Sequence, residues 1–410
     1  MLNKDSKREL AYLVKVDEIL PMNADRLECA RVGGWNCVVG KGEFKAGDYA
    51  VYFEIDSLIP DKPPFSAMEF LRSKNFKIKS QKIRGVVSQG LLIPLSAWVD
   101  NEGRCPVWMA TLQLALASGA DVLNSEARFL TDVLGVTYAS AEDNARKGSG
   151  IDKYKSMAAR HAKLFKKPVF RWLMKYNLGR KLLFIFFGSK KKDNKKFPTQ
   201  FPFVKPTDEE RAENCPELLK DKEPWVKTQK LDGTSSTYIL ARKGRRKFEQ
   251  YVCSRNVRQL TPSQKNYHTE IEGNVYWMMA DKYHIFDFLK GYLLNHDLDY
   301  VCLQGEICGP SIQGNPHKFK ELCFFGYNFI RSDVGRISSI EASKICELAG
   351  ISWVPIVDTQ YILPDDMETL KLDADGPCIV GSGPREGWVY RSQDGQRSFK
   401  NVSREYLLKH

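Results

Sequence analysis

Short apolar runs broken by polar residues fill the first hundred positions. LAYLVKVDEIL, ECARVGGWNCVVG and DYAVYFEIDSLI are rich in β-branched and aromatic residues, and Gly33-Gly34 and Ala46-Gly47-Asp48 interrupt them with turn signals. KIKSQKIRGVVSQGLLIPL adds another two strands. About five strands in about a hundred residues fit a small Greek-key barrel. From Val107 to Leu134 the pattern predicts a helical stretch. After Phe197 it becomes mixed: VKTQKLDGTSSTYIL, KFEQYVCSRN, VCLQGEICG, LCFFGYNFI and GWVYRS read as strands with helical intervals between them. No internal repeat is present.

Length and composition narrow this picture. At roughly 150 residues per domain, a chain of 410 residues has room for two or three domains. With 43% hydrophobic and 27% charged residues, it has an ordinary globular composition. The longest apolar run, Leu182 to Phe187, falls far short of the ~18 residues that a membrane span requires. The start, MLNKDSKREL, has no signal-peptide core, so secretion by the usual route is not expected. Ten scattered cysteines without a CxxC pair argue against a zinc ribbon. They point to buried thiols in a reducing intracellular compartment, the cytoplasm first and the nucleus second.

The net charge of +12 is local. Between Asn144 and Gln200 stand 17 Lys/Arg and two acids, Asp152 and Asp193, leaving the rest of the chain nearly balanced. Such a segment attracts polyanions by counterion release; the plainer reading is a solvated linker. The interleaved Val169, Phe170, Trp172, Leu173, Met174, Tyr176, Leu182, Leu183 and Phe184 predict an amphipathic helix suited to a phosphate backbone or an anionic membrane surface. GSKKKDNKK (Gly188 to Lys196) reads as a flexible basic loop.

The candidate chemistry begins at Lys230-Leu231-Asp232-Gly233. An apolar strand precedes it and a hydroxyl-rich turn into another strand follows. A lysine there is held by strands while the glycine lets a ligand approach the backbone. Taken alone, the tetrapeptide equally describes a surface lysine in a hairpin. Later elements change that: Ser254-Arg255-Asn256, Gln304-Gly305-Glu306, the aromatic strand from Phe324 to Phe329, Glu386-Gly387-Trp388-Val389, and Ser398-Phe399-Lys400. In this order and at these spacings they form the motif series of the covalent nucleotidyltransferases.

The chain thus resembles the ATP-dependent RNA ligases, within the superfamily of DNA ligases, RNA ligases and capping enzymes. The Deinococcus-type nick-sealing ligases are most similar. Three stretches carry that likeness: Ala24 to Pro60 with IRGVVSQGLLIPL, FPFVKPTDEERAENCPELL before the lysine motif, and FKNVSREYLLK at the end. The resemblance implies an α+β chain: an OB-like β-barrel over 1–100, a helical and basic connecting region over 101–196, and an ATP-grasp-like nucleotidyltransferase domain with mixed antiparallel sheets over 197–410. It implies that Lys230 takes AMP and that Asp232 and Gly233 complete that motif. Arg255 and Asn256 would contact the sugar and the ends being joined, Tyr327 would stack on adenine, and Lys400 would contact the phosphates. Catalysis would fall to Lys230, Asp232, Arg255, Glu306, Glu386 and Lys400. Glu306 and Glu386 would hold Mg²⁺ or Mn²⁺, directly or through water. Asn328 stands where an acid is common, and Ser398 where the last motif often has a first lysine.

The implied substrates are ATP and a nicked duplex with an RNA 3′-OH end, handled by a monomer with no obligate protein partner and no membrane span. DNA ligases and capping enzymes share the lysine motif but usually carry their OB domain after it, and only ten residues follow Lys400. A different class of reading is a non-catalytic RNA-binding protein, because ADRLECARV…GEFKAGD also resembles a tRNA-binding OB domain.

Overall fold

The computed structural model describes residues 1, 8–138, 202–244, 246–255, 257–259 and 274–409. The basic segment 144–200, with its expected helix and loop, lies outside the described residues, as does Asn256. Met1–Val136 and Pro198–His410 form one compact unit.

The N-terminal part is a set of short antiparallel strands: β1 (Ala11–Lys15), β2 (Glu18–Leu20), β3 (Leu27–Val32), β4 (Trp35–Gly40), β5 (Tyr49–Phe53), β6 (Ser57–Leu58), β7 (Gln81–Ile83), β8 (Val86–Ser88) and β9 (Leu91–Pro94). They pair as β1-β5-β9, β2-β3-β4 and β7-β8. β1 and β5 are buried on both faces. Ala11, Val51 and Phe53 pack with Phe65, Ile93 and Trp98, while Tyr12, Val14, Ala50 and Tyr52 pack with Val32, Trp35 and Cys37. Side chains alternate faces along a strand, so one pair of strands serves two apolar layers, as in a closed barrel. The stretch KIKSQKIRGVVSQGLLIPL forms three strands rather than two, because Arg84 and Gly85, with φ of 49° and 91°, make the two-residue turn of a β7–β8 hairpin.

The helical stretch expected from Val107 to Leu134 divides. α2 (Val107–Ala117) ends before Gly119, whose φ is 76°; after a loop comes the single turn α3 (Thr131–Leu134), following α1 (Glu69–Arg72) in chain order. Leu112 and Val122 pack on Leu13, and Leu130 and Val136 join the layer around Phe53. The Thr131 hydroxyl accepts from the backbone N–H groups of Leu10 (2.8 Å) and Ala11 (3.1 Å). These residues complete the barrel core.

After β10 (Thr137–Tyr138), which belongs to the second unit, come β11 (Glu210–Arg211), β12 (Trp225–Lys230), β13 (Thr234–Gly244), β14 (Lys247–Ser254), α4 (Val275–Lys282), α5 (Ile285–Asn295), β15 (Tyr300–Cys308), β16 (Cys323–Arg331), β17 (Gly335–Arg336), α6 (Ser339–Leu348), β18 (Ile356–Tyr361), α7 (Met367–Asp373), β19 (Gly387–Ser392), β20 (Ser398–Val402) and α8 (Arg404–Lys409). Two five-stranded sheets result: β11-β20-β19-β12-β18 and β14-β13-β15-β16-β17. All pairs are antiparallel except β11 with β20. α5 buries Ile285, Phe286, Leu289 and Leu293, a one-sided helical stripe that packs with Tyr238, Leu303, Phe324 and Phe329 of the second sheet. Each such side chain contributes about 1.5–3 kcal/mol when fully buried. The fold is the expected α+β arrangement. No described helix is long and apolar enough to cross a membrane. All ten cysteines are free thiols.

The two parts meet through the segment before β12. The amide of Asn214 donates to Glu54 Oε1 (2.8 Å) and Glu210 Oε1 (2.7 Å), and its oxygen accepts from Tyr12 (3.0 Å) and Trp35 Nε1 (2.7 Å). Glu54 is fully buried. Burial raises its pKa, but the N-terminal amine, Arg8 and Arg211 outweigh this and hold it down at about 2. A Cβ on Gly34 would stand 2.5 Å from Glu213 Cα, so the barrel approaches this segment backbone to backbone.

Candidate active site

Lys230 ends β12 opposite Gly387, the first residue of β19. That register brings Glu386 alongside, and Lys230 Nζ lies 2.7 Å from Glu386 Oε1. Gly387 has a φ of 150°, and a Cβ there would meet the Asn401 carbonyl at 2.2 Å; only glycine allows this approach of β19 to β20. Leu231-Asp232-Gly233 then crosses from the first sheet to the second. The Gly233 N–H donates to Glu306 Oε1 (3.1 Å), which sits on β15 opposite Ser235. Tyr327 is an extra residue in β16, since Gln304 pairs with Asn328 and Gly305 with Gly326. A bulge of this kind re-aims a side chain, and the Tyr327 hydroxyl meets Ser235 Oγ at 2.7 Å. Lys230, Asp232, Gly233, Glu306, Tyr327 and Glu386 therefore gather where the two sheets join.

One amine faces three carboxylates. Burial alone would depress the Lys230 pKa, but Glu386, Glu306 and Asp232 hold it above the usual lysine value, so the amine is charged. Burial pushes Glu306 up to about 8 against the pull of Lys230. Asp232 is raised by burial and by Glu386, and opposed by its Tyr406 hydrogen bond and by Lys230. The buried Oε2 of Glu386 has no hydrogen-bond partner. This excess of acid, with a carboxylate oxygen unsatisfied, fits a divalent cation. Among the described residues no three His, Cys, Asp or Glu side chains cluster as a ready-made cage. Water and phosphate oxygens would have to complete the shell, the usual habit of Mg²⁺.

Lys400 lies on β20, buried, with Nζ 3.0 Å from Asp208 Oδ1. Burial lowers its pKa to about 8; Asp208 opposes this, while Arg8, Arg211 and Lys230 add to it. The half-exposed Arg255 stands 3.8 Å from the same Asp208 oxygen. Ser398, two residues before Lys400, hydrogen-bonds to Glu209 and, at 3.0 Å, to Arg336. Asn328 is buried in a structural network. It donates to Gln304 Oε1 (3.0 Å) and accepts from Arg391 Nε (3.2 Å), whose Nη1 reaches Thr228 of β12 (2.9 Å). The side chain at that position thus bolts the two sheets together beneath Lys230.

Sequence reasoning left three neighbours unassigned. Asp208 sits on both Lys400 and Arg255. Buried His317 accepts the Asp232 N–H through Nε2 (2.9 Å). Tyr406 of α8 donates to Asp232 Oδ2. Asp208 and Tyr406 lie inside the quoted stretches FPFVKPTDEERAENCPELL and FKNVSREYLLK, which was the available signal.

Comparison with known proteins finds matches over both parts of the chain. A family model described as RNA ligase matches residues 223–405, and one described as an OB-fold domain matches residues 10–95. The solved RNA ligase of Naegleria gruberi is similar along nearly the whole length: 27% identity, a TM-score of 0.68, and coverage of 98% of this chain and 99% of that chain. This chain is an RNA ligase. The Naegleria structures include a glutamate-to-alanine variant with AMP and Mn, a lysine-to-alanine variant with ATP and Mn, and a form with PPi. No curated relative matches the chain. Since the likeness to these enzyme structures extends over barrel and catalytic sheets alike, the reading of the ligase as a non-catalytic RNA-binding protein is set aside.

Proposed function

We propose that this ligase joins a 3′-OH RNA end to a 5′-phosphate end at nicks in a duplex, with ATP as adenylyl donor, in the manner of the Deinococcus-type enzymes. The observation that carries the proposal is the Lys230–Glu386 pair at 2.7 Å beside Glu306, with Glu386 Oε2 unsatisfied at the junction of the two sheets. The neutral Lys230 amine attacks the α-phosphate of ATP; an N–P bond forms, a P–O bond breaks, and pyrophosphate leaves. AMP then passes to the 5′-phosphate of the nick, and attack by the 3′-hydroxyl forms the phosphodiester and releases AMP. Splitting one hard condensation into three exchanges is the gain of the covalent route.

The amine must lose its proton first, and the three carboxylates keep that proton on in the nucleotide-free site. Glu306 and Glu386 would hold a divalent cation, directly or through its waters, and its charge would favour the neutral amine and neutralise the phosphates. Tyr327 stacks on adenine, Arg255 and Asn256 hold the sugar, and Lys400 offsets charge growing on the phosphate oxygens. Division into a nucleic-acid-binding barrel (1–100), a connecting region (101–196) and a catalytic part (197–410) belongs to the same reading. The test is a panel of nicked duplexes with RNA or DNA on either side of the break, incubated with ATP and Mn²⁺. Sealing that requires RNA at the 3′-OH side is expected. Equal sealing of all-DNA nicks would move the assignment to a DNA ligase, and transfer from GTP instead of ATP to a capping-type enzyme.

A further inference from the structure

One stretch of the barrel holds cations with no acid among them. From Arg72 to Arg84 there are six basic side chains and no acid: Arg72, Lys74, Lys77, Lys79, Lys82 and Arg84. The rest of residues 8–136 holds nine basic and sixteen acidic residues, so the surrounding surface is acidic. A solvated face normally mixes both signs; this stretch has no acid of its own, although Arg72 at its start lies 3.8 Å from Asp61. Backbone geometry sorts the charges outward. Phe76, Ile78 and Ser80 are buried while Lys79 is exposed and Lys77 half-buried, and Lys82 and Arg84 are exposed on the β7–β8 hairpin. The segment from Phe76 to Ile78 is tied to β6 by Ile59 N–H to Phe76 O (2.9 Å) and Ile78 N–H to Ser57 O (2.9 Å). Lys77 and Lys79 therefore stand two residues, or about 6.6 Å, apart beside β6, Lys82 follows on β7, and Arg72 and Lys74 precede them at the end of α1 and in the turn after it. Arg84 occupies the hairpin tip. Phe70, 50% exposed, adds an aromatic face just before the strip.

We propose that this strip is a duplex-gripping surface that binds phosphates flanking the break, a role that rests on the nick-joining reading above and specifies where the barrel holds the substrate. Rigid spacing, one sign of charge and an acidic surround suit a polyanion of regular backbone. Its contribution is binding and register, with no part in the chemistry at Lys230.

The test compares the full-length protein with the triple variant Lys77→Ala, Lys82→Ala, Arg84→Asn, asparagine being chosen because it tolerates the left-handed backbone at the tip. The control triple, Arg26→Ala, Lys41→Ala, Lys45→Ala, removes equal charge from exposed positions elsewhere on the barrel. Binding of a nicked duplex is measured from low to moderate salt, alongside nick sealing and AMP labelling of Lys230. In the strip variant the slope of log K against log salt becomes shallower by about 2–3, near 0.9 per lost phosphate contact, and sealing at moderate salt falls by about tenfold or more. AMP labelling stays within about twofold and the control triple seals normally. Lys82→Ala alone gives the same direction with a slope change of about 1, which keeps the test intact if the triple is unstable. An unchanged slope in the strip variant, or an equal loss in the control triple, overturns the proposal. Failure of the unmodified protein to label or to seal would instead defeat the nick-joining reading, so the two failures are distinct.

Discussion

The hairpin strip of the barrel and the cleft between the catalytic sheets use charge in opposite ways. On the barrel, Lys82 and Arg84 are exposed on a surface stretch without acids. In the cleft the cations are paired with acids: partly buried Lys230 with Glu386, buried Lys400 with Asp208, and buried Arg391 near Glu209. Exposed charges are screened by salt and contribute little individually. Buried ones are costly to desolvate, and removing one partner strands the other at about 3–5 kcal/mol. Substitutions in the strip should thus change affinity in a salt-dependent way, and substitutions in the cleft should change chemistry or folding.

The strongest way to break this comparison is Lys230→Arg. It retains a cation for Glu386 but supplies no usable nucleophile, because guanidinium stays protonated. AMP labelling should fall to background while the unfolding midpoint stays close to that of the parent; labelling that persists would mean the pairing, not the amine, had been misread. Next in size is Asn214→Ala. It removes four hydrogen bonds and leaves Glu54, Tyr12 and Trp35 without that partner, so urea unfolding should report a loss of roughly 2–4 kcal/mol. A loss below about 0.5 kcal/mol would show that the barrel and catalytic part are joined some other way.

A third experiment uses pH. In the nucleotide-free site burial sets Lys400 near 8, below its ordinary 10.5. The folded protein then holds the charged form below about 8 and loses it as pH rises, while the unfolded chain keeps its proton up to 10.5. The penalty for burying the charge is fully present below about 8 and is relieved between about 8 and 10.5. Phosphate contact follows the charge, so the KM for ATP in AMP labelling should rise by about tenfold from about pH 7 to about pH 9. Lys400→Arg, charged throughout, should flatten that rise; a parent profile already flat would place Lys400 away from the phosphates. The smallest effect is expected from Tyr406→Phe. The lost hydrogen bond no longer lowers the Asp232 pKa, so the acid limb of AMP labelling should move to higher pH with only a few-fold change near neutrality. No movement would mean that Asp232 is indifferent to α8.

How far these features could be read from sequence follows from their range. β12, β13, β15, β16 and β19 were expected because their apolar and aromatic residues lie in short runs bounded by turn signals, and Lys230, Glu306 and Glu386 followed from the resemblance of the motif series. Tyr327 was named, but not the bulge that aims it, since a bulge depends on the register of the partner strand. Asp208 and Tyr406 escaped assignment because their contacts span 192 and 174 residues, and no local pattern records such a pairing. Asn328, noted only as a departure from an acid, proved to be a bolt between sheets, because burial converts a polar side chain into a hydrogen-bond obligation. The pattern from Val107 to Leu134 predicts one helical stretch; it holds two helices, α2 and α3, with a loop between them, and its apolar residues divide between the clusters around Leu13 and Phe53.

The central claim is that the charged Lys230 amine, once relieved of its proton, is the group that takes AMP. The direct measurement is mass-spectrometric mapping of the adduct after the full-length protein is incubated with ATP and Mn²⁺. AMP should be found on Lys230 alone, through an acid-labile phosphoramidate bond, and Lys230→Arg should carry none. AMP on any other residue, or an undiminished adduct in Lys230→Arg, would contradict the account.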